Sequence, residues 1–223
     1  MASQTPGSGR SWNPGTVPVE MKYVDYFVDG TSISTTWAGA EDDPATQLCL
    51  NAVTQGDGNS ERQGRKYFIQ SVHVRGHVTR TSALAQTGPL GDSEIVVALV
   101  LDQQTNGAQL NAEDVFLTGT NDELTFRNLE NAGRYRVLRS FRTIVRGSKA
   151  FTQQAQNDFD LSEVNNRFAF NYKFKKPLVV TITDENSPTT VADILDNSLH
   201  IMAVSSFSGH TLTYQSRVRF TQG

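Results

Sequence analysis

The 223-residue chain has one cysteine, Cys49. One cysteine cannot close an intramolecular disulfide, so a disulfide-stapled scaffold is excluded. Cys49 sits in the apolar run LCLNAV and reads as a small buried hydrophobe rather than a nucleophile. No apolar run approaches bilayer-spanning length, and no membrane partner is expected. The first twenty residues lack the hydrophobic segment of a signal peptide, and no Asn-x-Ser/Thr acceptor occurs. A soluble, intracellularly made chain is the expectation. Helical patterning is also scarce. LNAEDVFL, with Asn111 at the N-cap position and Glu113 and Asp114 in the first turn, predicts one short helix. TTVADILD (189–196) predicts one more turn.

Period-two alternation fills most of the rest. Strands are expected over 20–29, 47–54, 66–78, 93–102, 177–183 and 198–207. SEIVVALVLD (93–102) is apolar from Ile95 to Leu101, as in a strand buried on both faces or a central one. RFAFNYKFK places Phe168, Phe170, Tyr172 and Phe174 on one face, opposite Arg167, Asn171, Lys173 and Lys175. TLTYQSRVRFT places Leu212, Tyr214, Val218 and Phe220 opposite Gln215, Arg217 and Arg219. GRYRVLRSFRTIVRG reads as Tyr135, Val137, Phe141 and Val145 on one face. Arg134, Arg136, Arg142 and Arg146 take the other, with Arg139 interrupting the apolar row. Turn-rich loops separate these segments, and no helix has crossover length. The expected fold is all-β: a single eight-stranded antiparallel jelly roll, a β-sandwich with one or two short helices in loops. A Pro/Gly-rich extended arm is expected over residues 1–19 and the jelly-roll domain over 20–223.

Catalytic and metal patterns fail on inspection. GNSERQGRKY lacks the spacing of a phosphate loop and leads into a β-branched strand, not a helix N-terminus. His73 and His77 share one strand face with Arg75 between them, and that guanidinium disfavours a cation. SFSGH (206–210) has no nucleophile-elbow context. The run Glu41-Asp42-Asp43 reads as a solvated acidic loop before a Ca²⁺ site. No enzyme, cofactor or metal is expected.

Charge is informative. The formal net charge is −3, but residues 62–176 hold sixteen Lys/Arg against eleven acids, whereas residues 1–61 hold two against eight. A basic middle fits an anionic partner, and rows of Lys and Arg neutralise phosphates without reading bases. The candidate nucleic-acid-binding residues are Arg62, Arg65, Lys66, Arg136, Arg142, Lys173 and Lys175. Edge-strand protection is the competing reading for the lysines.

Four blocks, in order, carry a family resemblance: EMKYVD (20–25), QGDGNSERQGRKYFIQSVHVRG (55–76), VALVLDQQTNGAQLNAEDVF (97–116) and FRNLENAGRYRVLRS (126–140). They resemble the capsid proteins of small circular Rep-encoding single-stranded DNA viruses, circovirus-like, over roughly residues 20–146. The resemblance implies a jelly roll that self-assembles as a homo-oligomer into a small icosahedral shell around circular single-stranded DNA. It implies a place in the virion and in the host cell nucleus during assembly. It also implies an N-terminal Arg/Lys-rich arm, yet residues 1–19 hold only Arg10. Either the chain starts after that arm or the DNA is packaged without one. A non-viral jelly-roll binding module for carbohydrate is the alternative, and a cupin-type enzyme the third.

Overall fold

The computed structural model describes residues 20–39, 49–80, 92–119, 122–145, 166–183 and 189–222. The predicted arm, the Glu41-Asp42-Asp43 run and Arg146 lie outside the described residues.

The strands are β1 (Lys22–Ile33), β2 (Ala38–Gly39), β3 (Lys66–Arg80), β4 (Ser93–Asp102), β5 (Tyr135–Val145), β6 (Asn166–Thr181), β7 (Ser198–Ser205) and β8 (His210–Gln222). Sheet I has the order β1-β8-β3-β6 and sheet II the order β2-β7-β4-β5, antiparallel throughout. The pairs β1–β8, β2–β7, β3–β6 and β4–β5 are nested like the rungs of one long hairpin. Rolling that hairpin gives the jelly roll. The strand count differs from expectation. Among the described residues seven long strands carry the sandwich, and the eighth position is a two-residue pairing, Ala38–Gly39 with Met202–Ala203. The strand expected over 47–54 is, from residue 49, a turn held by the Leu50 N–H donating to the Leu199 carbonyl (2.8 Å).

The core between the sheets is built from alternate residues. β3 contributes Tyr67, Ile69, Val72 and Val74, β6 contributes Phe168 and Phe170, and β8 contributes Leu212, Tyr214, Val218 and Phe220. Sheet II contributes Ile95, Val97, Leu99, Leu199 and Ile201. Gly76 on β3 makes room for the side chains beside it. A Cβ there would sit 2.7 Å from Tyr214 Cβ, 2.8 Å from Phe168 Cζ and 2.5 Å from the Thr213 carbonyl oxygen.

The central strands of sheet II, β4 and β7, are dry on their outer face too. The β4–β5 connection folds over them and encloses a second core of Trp37, Val96, Ala98, Val100, Phe116, Met202 and Val204. Trp37 stacks on Phe116 at 3.8 Å between ring centroids. Its indole N–H donates to the Asp122 carbonyl oxygen (2.9 Å) and to Thr125 Oγ1 (3.0 Å). The connection holds the predicted short helix, α1 (Ala112–Val115), with Asn111 at its N-cap position, though no side-chain cap bond forms. The second predicted turn is a 3₁₀ turn, Val191–Asp193, closed by a capping box between Thr190 and Asp193.

A cationic sheet face as the candidate nucleic-acid interface

With one face of sheet I packed on the core, the alternate residues of its strands form a solvent-facing surface. Register sorts them into rows. Tyr23 pairs with Arg219, Arg219 with Ser71, and Ser71 with Lys173. The next row runs Asp25, Arg217, His73, Asn171, and the one after it crosses Gln215, Arg75 and Ala169. The last row joins Thr213, His77 and Arg167. Lys66 and Lys175 extend the surface at the end where β3 begins. Lys66, Arg75, Arg167, Lys173, Lys175, Arg217 and Arg219 therefore share one face, against the carboxylates Asp25 and Asp29 of edge strand β1.

Internal pairing quiets only part of this charge. Arg217 makes a two-pronged contact with Asp25 (2.7 and 2.6 Å) and lies 4.7 Å above the Tyr23 ring. The hydrogen-bonded Asp25 carboxylate, helped by its charge, raises the Arg217 pKa above its ordinary value. Arg75 donates to the neutral Gln215 Oε1 (2.8 Å). At the far end, Phe27, Arg75, Gly76, His77, Arg167 and Thr213 line a shallow, mostly apolar notch of about 300 Å³.

The seven sequence candidates do not form one site. Arg65 and Lys66 are exposed at the start of β3, and Lys173 and Lys175 are exposed on the cationic face. Arg62 is corrected: it is fully buried. Its Nε donates to the Val53 carbonyl (3.0 Å), and its guanidinium reaches the Gly64 carbonyl and Thr189 Oγ1 (3.5 Å). It ties the 53–64 loop together and cannot meet a phosphate.

Arg136 and Arg142 part company because β5 carries a bulge. Leu99 pairs with Arg139 and Val100 with Val137, which leaves Leu138 as the extra residue. The expected single apolar face is thus split. Tyr135 and Val137 belong to the outer core, while Leu138, Phe141 and Val145 face the inner one. Arg136 and Arg139 lie on the inner side at the open edge, where Arg139 sits 5.3 Å above the Tyr172 ring. Arg142 lies on the opposite side, bonded to Glu94 (3.0 Å) and to the Glu123 carbonyl (2.7 Å).

Arg75, Arg167, Arg217 and Arg219 were absent from the candidate set. Their alternation was readable, but only the register shows that β8 lies between β1 and β3 and merges three strands into one surface.

Residues 21–222 match the family described as "Geminivirus coat protein/nuclear export factor BR1 family". The capsid protein of Bean golden yellow mosaic virus (isolate Puerto Rico) is 25% identical over 132 residues, covering 56% of this chain and 50% of that protein. The match thus spans half the length of that curated relative. Among solved structures, VP1 of Trichodysplasia spinulosa-associated polyomavirus in complex with sialylated glycooligomers is 8% identical. It covers 92% of this chain and 95% of that one, with a TM-score of 0.30. A further structure of VP1 of that virus is 11% identical, covering 92% and 96%, with a TM-score of 0.25. Overlap this low carries no argument about shape or ligand.

Proposed function

The chain belongs to the geminivirus coat protein/nuclear export factor BR1 family, and from that premise we propose that it is the structural subunit of a viral capsid. It assembles into a small icosahedral shell and encloses circular single-stranded DNA. The observation that carries this reading is the extent of the family match, which takes in every strand of the jelly roll. The match begins at residue 21, which supports an arm over 1–19 ahead of one domain over 20–223. The role is architectural. Copies bury surface against one another under closed symmetry, and no reaction is assigned.

DNA contact belongs to the end of the cationic face carrying Arg65, Lys66, Lys173, Lys175 and Arg219, with Arg217 behind it. Lys66, Lys173 and Lys175 are exposed, and ammonium groups of this kind neutralise phosphates without reading bases. Binding is therefore salt-dependent and indifferent to sequence. Arg136 and Arg142, on other surfaces, contribute to the general field. A stage in the host cell nucleus during assembly is supported by the nuclear export factor in the family's description.

Electron microscopy of the purified chain tests the shell: uniform particles are expected, and a stable monomer across salt and pH would count against it. Filter binding to single-stranded DNA tests the face. Each lost phosphate contact flattens the log–log salt slope by about 0.7 on single strands. A Lys66→Ala, Lys173→Ala, Lys175→Ala variant is thus expected to lose roughly 2 units of slope if each lysine meets one phosphate. An unchanged slope would remove these residues from the interface. The second reading, brought by the family description, is a nuclear export factor that carries DNA without a shell. It predicts the same salt slope and no particles.

A further inference from the structure

The layer over sheet II has two sides, and among the described residues only one is packed within the chain. Its inner side packs Val115 and Phe116 on sheet II. Its outer side presents large apolar groups to water. Phe126 is 82% exposed and Leu129 78%, with Leu117 and Leu124 also exposed. These groups are neighbours. The Leu117 N–H donates to the Phe126 carbonyl (3.0 Å), and Phe116 bridges Arg127, so the two stretches form a short antiparallel ribbon. The buried Phe116 faces in, and its ribbon neighbours Leu117 and Phe126 face out. Isolated exposed apolar residues are ordinary, but four clustered on one ribbon and its flanks mark an interaction surface.

Charge says what covers it. Among the residues of 108–131 that reach solvent, Glu113, Asp114 and Glu130 stand against Arg127, while Asp122 and Glu123 are buried. An acidic surface with an apolar centre calls for a basic surface with an apolar recess. The other side of this same molecule has one: the notch beside Phe27, rimmed by Arg75, His77 and Arg167. Phe27 is itself 66% exposed. The notch, at about 300 Å³, far exceeds the share of one water and admits a side chain. It lies roughly 30 Å from Lys66 along β3 at about 3.3 Å per residue. Occupying it leaves the DNA-facing end of the sheet free.

We infer that the Leu117/Leu124/Phe126/Leu129 surface of one copy docks on the Phe27/Arg75/Arg167 notch of a second copy of this chain. This rests on the shell reading and names one of the contacts that builds it. The two surfaces differ, so the contact is heterologous. Each copy offers one donor surface and one acceptor surface, so repetition continues past a pair, and the closed symmetry of a shell requires that it close into a ring. Phe126 acts as the anchor in the recess, and the acidic rim meets Arg75 and Arg167 around it.

Two variants test it: Phe126→Ser/Leu129→Ser on the donor surface, and Arg75→Glu/Arg167→Glu on the acceptor surface. Particles are followed by electron microscopy and mass by analytical ultracentrifugation, with thermal melting as the folding control. Each variant alone is expected to fold as the parent chain does and to form neither rings nor shells. An equimolar mixture retains one intact contact per pair, donor from one variant and acceptor from the other, and is expected to yield a species of twice the monomer mass. Shells from either variant alone would overturn the inference and leave the shell reading standing. A mixture that stays monomeric would also overturn it. So would a melting point lowered by the donor substitutions, since the chain itself would then cover Phe126. So would an acceptor variant that assembles normally but loses DNA, since the notch would then belong to nucleic acid. A parent chain that never assembles would overturn both readings.

Discussion

Sheet I keeps one face dry and one wet, whereas the central strands of sheet II, β4 and β7, are dry on both, its edge strand β5 being exposed at Arg136, Arg139, Arg142 and Ile144. In β6 the burial alternates from Arg167 to Phe174, with Phe168 and Phe170 buried and Arg167, Ala169, Asn171 and Lys173 exposed. In β7 all eight residues from Ser198 to Ser205 are buried. Both sheets share one inner core, so the contrast comes entirely from what lies outside them. The β4–β5 connection covers sheet II, and among the described residues sheet I has no equivalent cover. The uncovered face is where charge accumulates, because water solvates ammonium and guanidinium groups that a dry face would exclude. It is also the face proposed for DNA at one end and a neighbouring copy at the other.

Stripping the cover from sheet II is expected to cost most. Trp37→Ala removes the ring stacked on Phe116 and the indole bonds to Asp122 and Thr125. A loss of about 3–5 kcal/mol is expected by urea denaturation. A loss under about 1 kcal/mol would mean the layer is not integral to the fold. Crowding the inner face of sheet I comes next. Gly76→Ala drives a Cβ into the Thr213 carbonyl at 2.5 Å and into Tyr214 Cβ at 2.7 Å, contacts that backbone must yield to relieve. The expected loss is about 1–3 kcal/mol in the same measurement, typical of overpacking.

Acid comes third, at the corner where β8 begins. His210 is buried, with Nδ1 against Ser205 Oγ and the Phe207 carbonyl, both at 3.1 Å. Burial lowers its pKa, the Phe207 bond opposes that, and the Arg80 charge adds to it. The fold therefore prefers the neutral ring. Its contribution is full above the unfolded value of about 6.5 and is lost as pH falls from there through the lowered folded value. Melting temperature is expected to drop across that window, and His210→Gln should flatten the drop. An identical pH profile in the variant would assign it to other groups.

The wet face should be the most forgiving. Asp25→Asn breaks the Arg217 pair, which is partly exposed on both sides. Such a surface pair contributes far less than either buried change above, and less again in high salt. A loss as large as theirs would show that sheet I depends on its outer face after all. The same change uncovers the Arg217 charge, so DNA affinity is expected to rise slightly.

How far the sequence could be read follows from the same contrast. Alternation found the inward faces of β6 and β8 residue by residue, because a strand with one wet face must alternate. The unbroken apolar run of β4 announced a strand covered twice. β5 misled because one extra residue, Leu138, reverses the faces on either side of it, and period alone cannot see a bulge. Arg62 misled because it looks like its neighbours Arg65 and Lys66 in sequence. The carbonyls that accept from it, at Val53 and Gly64, become convergent only when the loop closes.

The chain's local pattern was enough to determine the fold class, the buried face of most strands and the capsid-protein resemblance. Period, turn residues and short motifs are properties of neighbours along a chain. Which cations share a surface was decided by tertiary structure. Nested pairing sets β8 between β1 and β3 and brings Arg217 and Arg219 beside Arg75, Lys173 and Arg167, which stand far from them in sequence. Nested pairing also separates the acidic, apolar layer from the basic notch by the full thickness of the sandwich. Two complementary surfaces on opposite sides of one molecule cannot meet within it, so they are left for another copy.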